Sequence, residues 1–159
     1  MGIKMENTSR DAKEFFEKGK KALEKGEHDE ALKCLDEATS MDSDFVGPWV
    51  LKGMIYYQKE KYDKVIRCYD KVISLNPELG SAWYNKGVAY TQKEEYDEAI
   101  RCLDKATSIN PDDAKAWNNK GNVYLHMGEK RKAKRCFKKS LSIEPVQPEI
   151  KEKLDLSIN

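Results

Sequence analysis

The residues with the most chemistry to offer are four cysteines, Cys34, Cys68, Cys102 and Cys136, each 34 positions after the last. Thiols can pair as disulfides, bind a metal as thiolates or act as nucleophiles, and each use requires a sulfur to meet another sulfur, an ion or a base. The two histidines, His28 and His126, stand far apart in the chain. There is no Gly-rich phosphate loop, no nucleophile motif and no carboxylate pair set to tune one member against the other. Catalysis is not expected, nor is a bound metal or other cofactor.

What surrounds the cysteines decides their meaning. Residues 65–77 read VIRCYDKVISLNP and residues 99–111 read AIRCLDKATSINP, nearly the same segment again. Aligned on the cysteines, the chain falls into four units at 12–45, 46–79, 80–113 and 114–147, with an extension at 1–11 and a tail at 148–159. Self-similarity at such a period is the mark of a repeat architecture. Within the second unit Trp49, Gly53, Tyr56 and Tyr57 fall at i, i+4, i+7 and i+8, and Val65, Tyr69, Val72 and Ile73 repeat that spacing. Each unit therefore reads as two short amphipathic helices joined by a polar turn. Proline then ends the helical run in LNPE and INPD.

These positions resemble those of the tetratricopeptide repeat family. The large aromatic of the first helix stands at Phe15, Trp49, Trp83 and Trp117, and the close-packing glycine at Gly19, Gly53, Gly87 and Gly121. The family tyrosine is matched by Tyr56, Tyr90 and Tyr124, with Ala22 in the first unit. In the second helix the small residue is Ala31, Val65, Ala99 or Ala133 and the bulky one Leu35, Tyr69, Leu103 or Phe137; Pro77, Pro111 and Pro145 close the units. The resemblance implies an all-α, right-handed solenoid of four antiparallel helix pairs. The tail, with Ile150, Leu154 and Ile158 at i, i+4 and i+8, is expected to form a capping helix, because a stack of repeats must cover its terminal faces.

Stacked helices lie about 8–10 Å apart, whereas a disulfide needs Cα atoms within about 7 Å. The cysteines are expected not to pair, and to be small, partly buried hydrophobes copied by duplication. Three departures from the family pattern carry expectations. Ser43 replaces the first proline, so the edge of the first unit should be looser. Lys18, Lys52, Lys86 and Lys120 stand where the family has leucine, and should lay their stems along the helices with the ammonium in water. Glu60 and Glu94 replace the turn glycines supplied by Gly26 and Gly128, which implies strain if the left-handed conformation is kept. Trp49, Trp83 and Trp117 are expected in the core. Thr8, with Asp11 three residues on, marks the expected start of the first helix, with residues 1–7 frayed.

The resemblance also implies a concave groove lined by the first helices, which receives peptide segments. Its positions here are Val50, Met54, Tyr57 and Gln58, then Tyr84, Asn85, Val88 and Gln92, then Lys115, Asn118, Asn119, Asn122 and His126. Apolar side chains there can bury a partner's hydrophobes, and amides can both donate to and accept from an extended backbone. The lysine and asparagine clamp by which one subgroup of the family holds the carboxylate ends of chaperones is not reproduced. Its positions hold Phe16, Lys20, Leu51, Ser81 and Asn85, or, one unit on, Val50, Met54, Asn85, Lys115 and Asn119. The expected function is a non-catalytic adaptor holding a segment of another protein. Self-association by end-to-end stacking is the alternative.

Charge adds one further surface. The chain is 36% charged with a net charge of +1, too balanced for a dedicated nucleic-acid binder. Yet Lys130, Arg131, Lys132, Lys134, Arg135, Lys138 and Lys139 crowd one helix at 130–139, where the earlier units mix signs. An anionic partner, an acidic protein or RNA, is the less favoured reading of that helix, and nucleic acid is not expected. The beginning MGIKMENTSR has no apolar run of the signal-peptide kind, and Glu6 breaks the myristoylation pattern after Gly2. With no membrane-spanning run expected either, the reading is a cytoplasmic protein with reduced thiols.

Overall fold

The computed structural model describes residues 2–146 together with 149, 150, 152 and 154, and only the backbone of residues 2–9. The chain divides into two compact units, Met1–Asn76 and Pro77–Asn159. The first holds α1 (Gly2–Glu24), α2 (His28–Met41), α3 (Val46–Gln58) and α4 (Tyr62–Leu75). The second holds α5 (Gly80–Gln92), α6 (Tyr96–Ile109), α7 (Ala114–His126) and α8 (Lys130–Ile143). Helical backbone is also seen at Glu149, Ile150, Glu152 and Leu154, while Ile158 lies outside the described residues. There is no strand among the described residues. Within the units each odd-numbered helix packs on the next, and α2 also packs on α3, and α6 on α7.

Each pair closes on a glycine facing a bulky side chain. A Cβ on Gly121 would lie 2.5 Å from Phe137, and one on Gly53 would lie 2.8 Å from Tyr69. At that separation any side chain would drive the helices apart. The turn inside each pair runs through a left-handed residue: Gly26 (φ 76), Glu60 (φ 55), Glu94 (φ 61) and Gly128 (φ 76). The amide after it reaches back five residues, as in Lys61 N to Tyr56 O at 2.9 Å and Glu129 N to Tyr124 O at 2.8 Å, which closes a Schellman-type helix end. Glu60 and Glu94 thus keep the glycine conformation, which meets the condition under which strain was expected, with crowding around their Cβ atoms.

The connections between pairs are tied differently. Trp83 Nε1 donates to Pro77 O and Trp117 Nε1 to Pro111 O, both at 2.8 Å, and Trp49 Nε1 donates to Ser43 O at 3.0 Å. The acceptor is a main-chain carbonyl, so the tie survives the change of proline to Ser43, and the loosening expected there is not seen at this bond. The tryptophans are half-buried rather than core, a correction: the indole stays near the surface, where its N–H finds the loop. The core is instead Leu35 with Ala31 and Ile55 in the first unit. In the second it is Leu103 with Ala99 and Val123, and Phe137 with Ala133 and Ile150.

The start of α1 is a second correction. The helix runs from Gly2, not from Thr8. No proline or glycine lies between Ile3 and Lys18, so nothing in the backbone interrupts the helix at the capping-like Thr8.

Candidate protein-interaction surfaces

The residues expected to line a groove fall on α3 in the first unit and on α5 and α7 in the second. On α3, Val50, Met54, Tyr57 and Gln58 share a face at the 3.6-residue period, with Met54 48% and Tyr57 37% exposed. Tyr57 is held edge-on against Tyr62, ring centroids 5.8 Å apart.

In the second unit Tyr84, Asn85, Val88 and Gln92 share a face of α5, while Lys115, Asn118, Asn119, Asn122 and His126 share a face of α7. The two helices touch, and Asn119 Nδ2 donates to Tyr84 Oη at 2.7 Å, which fixes the amide with its carbonyl oxygen turned away from the phenol. The side-chain oxygen of Asn118 is shielded from solvent with no hydrogen-bond partner among the described residues. His126 stacks on Tyr96 of α6, centroids 5.5 Å apart and planes within 5°. The α7 start is set by Asp113, whose carboxylate accepts from Lys115 N at 2.9 Å and Ala116 N at 3.1 Å.

On α8, Lys130, Arg131, Lys132, Arg135 and Lys138 are exposed, and Lys134 and Lys139 half-buried. Lys132 reaches Glu129, just before the helix, at 3.4 Å.

Two of the lysines in the leucine positions, Lys52 and Lys120, behave otherwise than expected. Lys52 is buried, 7% exposed, with its ammonium 2.5 Å from Asp36 of α2 and 4.4 Å from the centre of the Trp49 ring. Lys120 repeats the arrangement with Asp104 of α6 at 2.5 Å and Trp117 at 4.8 Å. A carboxylate and an aromatic face together replace the water that a buried ammonium would lose. Lys18 is solvated as expected, 53% exposed and paired with Glu14 at 2.8 Å. The signal for the buried pairs was present in the sequence: aspartate recurs at 36, 70 and 104, two residues after each of the first three cysteines and sixteen before Lys52, Lys86 and Lys120.

All four cysteines are free thiols, Cys34 half-buried and the other three buried. Burial pushes the Cys68 thiol up to about 11 and the Cys136 thiol in the same direction, partly opposed by Lys52 and Lys120 respectively. A thiol held protonated is a poor nucleophile and a poor ligand. No group of three or more His, Cys, Asp or Glu side chains is arranged to hold a metal among the described residues.

Comparison with known proteins agrees with this architecture. Four family models described as tetratricopeptide or TPR repeats match residues 15–45, 48–79 and 114–145, 68–101, and 87–128. The chain belongs to the tetratricopeptide repeat family, and its fold is the all-α solenoid of that family. Among solved structures, MamA is similar with a TM-score of 0.89 and 26% identity, over 92% of this chain and 80% of that one. MamA 41-end from Desulfovibrio magneticus RS-1 is similar at 0.86 and 23%, over 92% and 83%. YrrB, described as a TPR protein with an unusual peptide-binding site, is similar at 0.82 and 20%, over 98% and 80%. No curated protein sequence matches this chain. The architecture is that of a protein-interaction scaffold. Among the described residues no helix is long and apolar enough to cross a membrane.

Proposed function

We propose that this protein is a non-catalytic adaptor that holds a segment of a partner protein against the uncharged faces of its first helices. One observation carries the reading. In a chain that is 36% charged, the eight positions Val50, Met54, Tyr57, Gln58, Tyr84, Asn85, Val88 and Gln92 hold no charge, and Met54 and Tyr57 stand open to solvent. A face that serves only to be solvated gathers Lys and Glu; one that must shed water onto a guest keeps Met, Tyr and amides. In the second unit the amides of α7, with Asn119 positioned by Tyr84, suit the backbone of an extended segment, whose N–H and C=O groups they can pair without reading its sequence. The free, buried thiols fit a reducing compartment, the cytoplasm.

Selection of random peptides on the immobilised protein tests this. Selected peptides should bind the intact chain and lose about tenfold or more in affinity to the Tyr84→Ala, Asn119→Ala double variant, as removal of a central aromatic and its amide does at other interfaces. Peptides that bind the variant as tightly would show the α5 and α7 faces to be ordinary solvated surface.

A further inference from the structure

Helix α7 has a second working face. At 3.6 residues per turn, Trp117, Lys120 and Tyr124 lie on the side opposite Lys115, Asn119 and Asn122. There they meet Lys132, Arg135, Cys136 and Lys139 of α8 around a cavity of about 410 Å³. Four cations line it and, among the described residues, no carboxylate does.

The four are not equivalent. Lys120 is committed to Asp104 at 2.5 Å, and Lys132 leans on Glu129 at 3.4 Å. Arg135 and Lys139 have no ion-pair partner among the described residues. They stand four apart on one helix face, where like charges repel unless an anion comes between them. In each earlier pair one of the two duplicated positions is neutralised from within. Beside α5, Glu98 replaces Lys132, and it pairs with Arg101, the counterpart of Arg135, at 2.6 Å. Lys71, the counterpart of Lys139 on α4, pairs with Asp44 at 3.1 Å. Among the described residues the last pair has the same scaffold with both of these positive charges left open.

We propose that this cavity is an oxyanion site whose ligand is a phosphate monoester on a protein side chain, gripped by Arg135 and Lys139. A dianion matches two unpaired cations better than a single carboxylate does, and the guanidinium fork suits phosphate oxygens. RNA is the poorer occupant. Nucleobases need open aromatic faces, and here Lys120 lies 4.8 Å over Trp117 and Lys132 lies 5.4 Å over Tyr124. That the phosphate comes on a protein rests on the interaction-scaffold reading.

The test is a fluorescence-anisotropy titration of the full chain with a labelled glycine-rich peptide bearing one phosphoserine, beside the same peptide unphosphorylated. Arg135→Ala and Lys139→Ala should each weaken phosphopeptide binding about tenfold, as loss of a charged hydrogen bond does. Arg101→Ala should leave it unchanged, and the unphosphorylated peptide should bind at least tenfold more weakly. The Tyr84→Ala, Asn119→Ala variant should keep phosphopeptide binding, which separates this site from the opposite face of α7. Circular dichroism on each variant guards against unfolding, and both α8 side chains reach the surface. Equal binding by the Arg135→Ala variant, or no binding by the intact chain at millimolar peptide, overturns the site. Tighter binding of poly-uridine RNA or of phosphatidic-acid vesicles than of phosphopeptide, lost in the same variants, overturns the assignment to protein phosphate.

Discussion

Glu60 and Glu94 show how closely backbone geometry constrains single positions. Both sit at φ near 60 in turns that Gly26 and Gly128 make without crowding. Glu60→Gly and Glu94→Gly should each stabilise the fold by about 0.5–1 kcal/mol, the left-handed penalty less glycine's greater freedom when unfolded; chemical denaturation monitored by circular dichroism would measure it. This strain was legible in the sequence because the turn fixes a backbone angle that only the residue type must satisfy. The burial of Lys52 was legible only through the repeat, in the aspartate that recurs sixteen residues before it, because an ammonium is tolerable inside only beside a carboxylate, here from another helix, and a ring, here from its own. The thiols give a second prediction. At pH 8 Cys34 should react with a disulfide reagent well before Cys68, Cys102 and Cys136, all three buried. The folded chain holds the Cys68 proton up to about 11, above the ordinary value of 9.0. The folded state therefore binds more protons than the unfolded one between those values, so this contribution to stability is complete below pH 9 and is lost as pH rises toward 11. Cys68→Ala should flatten the alkaline loss seen in pH-dependent melts.

At the scale of the helix, α7 is unusual in its start. Asp113 is the one N-cap side chain among α2 to α8 that accepts main-chain N–H bonds in the described structure. Asp113→Ala should lower stability by about 1 kcal/mol. It should also loosen the amide face, so thermal melting and the affinity of selected peptides should fall together, whereas Asp112→Ala, one residue earlier, should leave both unchanged. Helix existence was readable from apolar periodicity, since a stripe at 3.6 residues can face a core only when the backbone is helical. The beginning of α1 was not: the Thr8 pattern is a capping signal only where the chain before it departs from the helix, and the sequence up to Gly2 has no reason to do so. The link between Tyr84 and Asn119 was equally hidden, as it depends on which rotamers two neighbouring helices leave open.

For the molecule as a whole, a run of repeats is as sound as its last covered face. Ile150, 2% exposed, lies on Ala133 and Phe137 with Leu154 beside it, so residues beyond α8 shield the apolar side of the final pair. Ile150→Glu should cost about 2–4 kcal/mol by burying a carboxylate or exposing Phe137. Sedimentation velocity should then show a mass that rises with concentration, as uncovered faces of two copies meet; a variant that stays monomeric at every concentration would mean that Ile150 is not what keeps copies apart. The repeat register was the most legible feature of the sequence, because duplication writes it four times. The choice of guest is the least, because it lies in a few side chains on a scaffold that many proteins share.

The indole bonds from Trp49, Trp83 and Trp117 to the loop carbonyls have a practical corollary. Nature has installed a fluorophore at each of three junctions. With two of the indoles changed to phenylalanine, the remaining emission would report when that one seam opens to water, and three such proteins would chart, seam by seam, the order in which the array comes apart.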